Sequence, residues 1–129
     1  MKKITKIFAA VLILLTVMVT GCQSNEQKYT QLKTETVKLM EQIDKEETDA
    51  INKFIAADPR NRYQSGKQMK IELEIKKKHL PKVKENIKKM EELSKSELKL
   101  ANDFRMTKAQ TLDNLESGIK YFEKHTKNL

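Results

Sequence analysis

From Tyr29 to Phe122, apolar residues return at steps of three and four, and little breaks the rhythm. That spacing is one face of an α-helix. It commits most of the chain to amphipathic helices, each burying one stripe. Composition agrees: 129 residues hold only 3 Gly, 2 Pro and no Trp, too few turn formers for a sheet-rich fold. The length is that of one domain, too short for a two-lobed solute-binding protein or a large α/β enzyme.

Three stripes can be followed. Tyr29, Leu32, Val37, Met40, Ile43, Ala50, Ile51, Phe54 and Ile55 predict a helix over about 25–57, with Ser24 or Asn25 as its cap. Thr36 and Glu47 fall on or beside this stripe and weaken it. Asp58-Pro59-Arg60-Asn61 ends the helix, either as a cap with Pro59 in first position or as a turn. Met69, Leu73, Leu80, Val83, Ile87 and Met90, widened by Ile71 and Ile75, predict a second helix over about 62–93. Lys76 stands at its core edge, where the stem covers apolar surface and the amine reaches water. Pro81 removes a helical hydrogen bond, so a kink or a break is expected there. Leu98, Ala101, Phe104, Leu112, Leu115, Ile119 and Phe122 predict a third helix over about 96–127, with Ser94 and Glu97 spaced as a capping box.

Length favours the boundary near Ser94, and a break at Pro81 is the alternative. A break at Ser94 gives three helices of nearly equal length, whereas a break at Pro81 leaves a short middle helix and a very long last one. Equal helices bury their stripes on one another through short loops. The expected fold is therefore all-α, an elongated antiparallel three-helix bundle. A coiled-coil-like hairpin of two long helices is the other arrangement. Each helix would be roughly 45 Å long. Narrow stripes and few aromatic residues imply a thin core, which a partner or self-association would complete.

The N-terminal segment has a different character. Met1-Lys2-Lys3-Ile4-Thr5-Lys6 is basic, and the thirteen residues from Ile7 to Val19 carry no charge. As a helix they would extend roughly 20 Å, short of a hydrocarbon core of about 30 Å. This suits the apolar region of a secretory signal peptide, with its positive start held on the cytoplasmic side. Val19-Thr20-Gly21-Cys22 follows. It resembles the lipobox of bacterial lipoprotein precursors, which runs aliphatic, small or hydroxyl, small, then Cys. Val19 departs from the commoner Leu. The resemblance covers residues 1–22 and implies recognition of Val19, Thr20 and Gly21 by the signal peptidase. It also implies diacylglycerol on the Cys22 sulfur, with or without N-acylation, and cleavage after Gly21. The expected organisation is a signal peptide at 1–21, the lipidated Cys and linker at 22–25, and a helical domain at 26–129. The expected location is the outer face of the bacterial cytoplasmic membrane. Two acyl chains suffice for stable anchoring. Cys22 is the single Cys, which excludes an intrachain disulfide and a Cys-clustered zinc site.

The formal net charge is +8, and it is unevenly placed. Residues 67–90 hold nine Lys against Glu72, Glu74 and Glu85, while residues 91–129 balance and residues 22–66 are close to balance. Lys76, Lys77, Lys78, Lys82, Lys84, Lys88 and Lys89 are candidates for contact with an anionic surface, either lipid headgroups or wall polymer. A solvated Lys-rich face is the plainer reading. In an up-down-up bundle the middle helix returns towards the anchor and brings Lys82, Lys84, Lys88 and Lys89 near the headgroups. Nucleic acid is disfavoured, since Arg and stacking aromatics are missing from the basic run.

Catalytic chemistry finds little support. His79 and His125 have no second His or carboxylate in a metal-binding pattern. Asp44, Glu46, Glu47 and Asp49 point in different directions around one helix, which argues against a paired acid/base site. No Gly-rich phosphate loop or nucleophile motif occurs. Met40, Met69, Met90 and Met106 are spread out and read as core fillers. No catalytic residue, no metal site and no cofactor beyond the covalent lipid are expected.

The Lys-rich, Arg-poor usage and helical architecture resemble small cell-wall-binding lipoproteins of low-GC Gram-positive bacteria. The expectation is a lipid-anchored, non-enzymatic interaction protein of the cell envelope. A bacteriocin-immunity or phage and plasmid exclusion lipoprotein is one alternative. An adaptor in a membrane protein complex is another.

Overall fold

The computed structural model describes residues 23–129, so the expected signal peptide, with Val19, Thr20 and Gly21, and the expected lipidation site Cys22 lie outside the described residues. Helix α1 spans Asn25–Ala57. Ser24 starts it: its hydroxyl accepts from the Gln27 N–H at 3.2 Å, and Gln27 Oε1 accepts from the Ser24 N–H at 3.1 Å. This reciprocal pair satisfies two N–H groups at the helix start. Asp58 then turns extended and caps a 3-10 turn, Pro59–Tyr63, with Pro59 in its first position. The turn is tied down by Asn61. Its amide donates to the Phe54 carbonyl at 2.7 Å, and its carbonyl accepts from the Gln68 side chain at 2.8 Å.

Helix α2 spans Ser65–Ser94 without interruption, and Pro81 lies inside it. Pro81 is exposed, so the carbonyl freed at Lys77 lies on the solvent side, where water replaces the lost helical partner. Helix α3 (Leu98–Lys108), a π-helical turn (Ala109–Asp113) and helix α4 (Asn114–Thr126) form one continuous third rod. Three helical rods packed against each other make an all-α bundle. Side-chain pairs give the directions. Glu47 meets Lys76 and Glu35 meets Lys82, so α1 and α2 are antiparallel. Glu26 meets Lys99 and Lys33 meets Asp103, so the third rod runs parallel to α1.

The core is a thin column of Tyr29 and Ile43 from α1, Leu73, Val83, Ile87 and Met90 from α2, and Leu100, Leu112, Leu115 and Ile119 from the third rod. The register differs from the simple stripes in two places. On α1, Val37 is 40% exposed and Thr36 is fully buried. Tyr29, Thr36 and Ile43 are seven residues apart, and a heptad step keeps them on the core side. Thr36 bonds its hydroxyl to the Leu32 carbonyl at 2.7 Å, which makes it tolerable there.

On the third rod, Leu98 is 88% exposed and Ala101 is also exposed, whereas Leu100 and Thr107 are buried. Steps of three and four back from Leu112 lead to 108, 105, 101 and 98. The positions that turn inward before the π turn are Thr107, Phe104 and Leu100, each one residue earlier. A π turn carries one residue more than an α turn and so shifts the phase by one. The expected capping box also differs. Glu97 is the N-cap residue of α3 but makes no side-chain cap bond, and Ser94 Oγ donates instead to the Glu91 carbonyl at 2.7 Å.

One core residue is polar without compensation. Asn86 is fully buried, and neither its amide nitrogen nor its oxygen has a hydrogen-bond partner.

Candidate functional site

Helix α2 carries the basic segment, and the fold divides it into two faces. The inner face holds Lys76 and His79. Lys76 Nζ donates to Glu47 Oε1 at 2.6 Å, with both side chains mostly buried, at 16% and 11% exposure. Its stem runs past Gly118, 3.5 Å from where a Cβ would stand there and so at ordinary contact distance, and its amine stands 5.5 Å from the Phe122 ring centroid. Lys76 thus touches all three rods. This corrects the expectation that its amine reaches water and removes it from the candidates for an external anion. The reason is register. Lys76, Val83 and Met90 are seven residues apart, and the last two are fully buried.

His79 is buried beside Lys76, and its Nε2 lies 2.9 Å from Glu46 Oε2. An ionised carboxylate only accepts, so Nε2 carries the proton. Glu46 also accepts from the Gln42 amide at 2.9 Å and lies 3.6 Å from Lys78 Nζ. The hydrogen bond from His79, then that from Gln42, hold the Glu46 carboxyl down at about 2. Glu72 behaves in the opposite way. Burial, then the nearby Glu47 charge, push its carboxyl above the ordinary carboxylate value. Glu47 and Glu72 share an open cleft of about 330 Å³ with Asp44, Thr48, Ile51 and Asn52.

The sequence missed this polar belt because its partners lie on different helices. One signal was present: Glu47 and Lys76 both sit on apolar stripes, and two opposite charges on facing stripes can pair. A second such contact lies nearer the start of α1. The Tyr29 hydroxyl donates to Asp103 Oδ2 and Lys33 Nζ donates to Oδ1, both at 2.7 Å. Lys33, then Tyr29, hold the Asp103 carboxyl below its usual value, while burial and the Asp103 contact raise the Tyr29 hydroxyl.

The outer face of α2 is different. Lys67, Lys70, Lys77, Lys78, Lys82, Lys84, Lys88 and Lys89 are all exposed, against the exposed Glu74 and Glu85. Several reach carboxylates: Lys77 pairs with Glu123 at 2.9 Å, Lys89 with Glu85 at 2.9 Å, and Lys82 lies 3.9 Å from both Glu35 and Glu85. These pairs are about half exposed. Such pairs contribute about 0–1 kcal/mol and exchange readily with other anions. Lys67, Lys84 and Lys88 form no salt bridge among the described residues. The remaining six candidates, Lys77, Lys78, Lys82, Lys84, Lys88 and Lys89, therefore stay on the surface, and Lys67 and Lys70 extend their row.

The end of the bundle where α1 begins is fixed by contacts. Asn25 reaches Ser96 at 3.5 Å, and Lys99 reaches Glu26 at 2.9 Å. The α2–α3 turn therefore lies beside the start of α1. Beside it, Gln23, Leu32, Lys89 and Leu93 contribute to an open, mostly apolar groove of about 500 Å³. His125 stays local, with Nδ1 2.8 Å from the Tyr121 carbonyl. Among the described residues, no group of three or more His, Cys, Asp or Glu is placed to hold a metal ion, and no helix is long and apolar enough to cross a membrane.

The chain matches no family model, no curated protein and no solved structure.

Proposed function

We propose that this is a lipid-anchored, extracytoplasmic helical protein whose role is interaction rather than catalysis. Its outer lysine face would meet an anionic surface of the cell envelope. The observation that carries this reading is the two-sided helix α2, with eight exposed Lys on one side and a core-facing stripe on the other. On α2 the mostly buried Lys76 is already paired with Glu47, and the outer lysines that pair at all do so through exposed contacts of small energetic weight. The lipobox resemblance supplies the anchor, and the short linker from Cys22 to Asn25 keeps the bundle close to it.

Two measurements test the reading. Palmitate labelling of growing cells should tag the wild type and not Cys22→Ala, and the variant should leave the membrane fraction. The released Cys22→Ala protein should bind vesicles containing phosphatidylglycerol and lose that binding as salt rises. Labelling of the variant equal to wild type would remove the anchor from the reading. Equal affinity for neutral and anionic vesicles would remove the charged contact.

A further inference from the structure

We infer that the bundle lies on its side against an anionic phospholipid leaflet, with α2 as the contact along its whole length. This deepens the reading above and rests on its charged contact. A lipid anchor by itself would allow an upright rod, touching headgroups only through the lysines nearest the start of α1. The placement of the charge argues otherwise.

Lys67, Lys70, Lys77, Lys84 and Lys88 are separated by steps of three, seven, seven and four residues. Those steps keep one side of a helix. The side is opposite to Val83 and Met90, both fully buried; all five lysines are exposed there, and with the exposed Glu74 and Glu85 on the same side it stays net positive. From Lys67 to Lys88 the row is roughly 32 Å long at 1.5 Å per residue. Pro81 falls within it, also exposed, so the surface of contact carries no bulky apolar residue there. The row begins beside the 3-10 turn, at the end of the bundle away from Cys22, and finishes near the anchored end.

The anchored end itself is a poor match to an anionic leaflet. Around the α2–α3 turn stand Glu26, Glu91, Glu92 and Glu97 against Lys28, Lys95 and Lys99. Lys95 is paired with Glu92 at 3.0 Å and Lys99 with Glu26 at 2.9 Å. An upright rod would press this balanced tip on the headgroups and hold Lys67 and Lys70 out of range, since screening limits attraction to roughly 8 Å at physiological salt. A rod on its side brings the whole row within that distance. The salt bridges of Lys77, Lys82 and Lys89 and the hydrogen bond from Lys70 Nζ to the Leu129 carbonyl oxygen at 2.9 Å are exposed and weak, so these residues can turn towards lipid phosphate at little cost.

The test compares the two ends of the row. Every contact described above that builds the bundle lies between residues 23 and 129, so residues 22–129 with Cys22→Ala serve as the starting protein. Its partitioning onto vesicles of phosphatidylglycerol and phosphatidylcholine is measured for three double variants. Lys84→Gln/Lys88→Gln alters the end near Cys22, Lys67→Gln/Lys70→Gln the far end, and Lys38→Gln/Lys45→Gln the exposed side of α1. The side-on arrangement predicts that the first two each weaken binding roughly tenfold and that the third leaves it nearly unchanged. A loss confined to Lys84→Gln/Lys88→Gln overturns the inference in favour of upright contact. Equal losses from all three overturn it in favour of general attraction.

If the starting protein binds no anionic vesicles, the underlying charged contact fails first, and this inference with it. Neutron reflectometry of the lipidated protein on a phosphatidylglycerol bilayer gives a second readout. A layer of about 20 Å is expected for a bundle on its side, and one of about 50 Å, the length of α1, overturns it.

Discussion

Lys76 and Lys84 lie on the same helix, in the same basic segment, and share no other property. Lys76 is packed among three rods with its amine on Glu47 at 2.6 Å. Lys84 is exposed and forms no salt bridge among the described residues. The difference is a matter of register: one position faces the heptad column of Val83 and Met90, the other faces away. Charge density along a sequence is therefore a poor guide to what each charge does. The same residue type serves assembly on one side of α2 and is free for an external partner on the other.

The largest effect should come from breaking the inner pair. Glu47→Ala removes the hydrogen-bond partner of the Lys76 amine and leaves it with little access to water, a loss of about 3 kcal/mol. Thermal unfolding should show a clear fall in Tm. The double variant Glu47→Leu/Lys76→Met should recover most of it, because it removes both charges and keeps the volume. A fall as large in the double variant would mean that the pair contributes more than its burial demands.

The next effect is acid sensitivity. The Glu46 carboxyl titrates at about 2 in the fold, below the unfolded value. Its contribution is fully present above the unfolded carboxylate range and is lost as pH falls from there through about 2. The expected loss is on the order of 2 kcal/mol, followed by denaturant unfolding between pH 6 and pH 2. His79→Gln should flatten that part of the profile, and an unchanged profile would show that the His79 contact does not hold Glu46 down.

The smallest effect belongs to the outer face. Lys84→Gln/Lys88→Gln should change stability by less than about 0.5 kcal/mol, as surface substitutions away from structural contacts do. A larger change in Tm would give those lysines a structural role and weaken the contrast between the two faces.

The all-α class and the three-rod bundle were legible in the sequence because apolar spacing reports directly on helix faces. The first cap, narrowed to Ser24 or Asn25 and found at Ser24, and Asp58-Pro59 as the end of α1 were legible from local residue types. The inner contacts were not. Glu46 and Glu47 are neighbours that point to different partners on α2, His79 and Lys76, and no local rule pairs residues so far apart in the chain. Thr36 falls on or beside the stripe as a weak point, whereas nothing in the residue type marks the polar Asn86 as a core residue. Leu98 and Ala101 were read as inward because a single phase was carried through the third rod. The outer lysines lie where their charge suggested, except for Lys76, whose heptad position outweighs its charge.

The π turn at Ala109–Asp113 gives the third rod two reading frames of burial, joined at one point. Loss of a single residue between Leu100 and Phe104 would put Leu100 out of phase with Phe104 and Thr107 and break the upstream frame. Loss of one residue inside the turn would convert it to ordinary α-helix, with Leu100, Phe104 and Thr107 continuing into Leu115, Ile119 and Phe122 by steps of three and four. The same one-residue deletion is therefore disruptive in one place and conservative a few residues later. Length, more than residue identity, is the variable to which this rod is tuned.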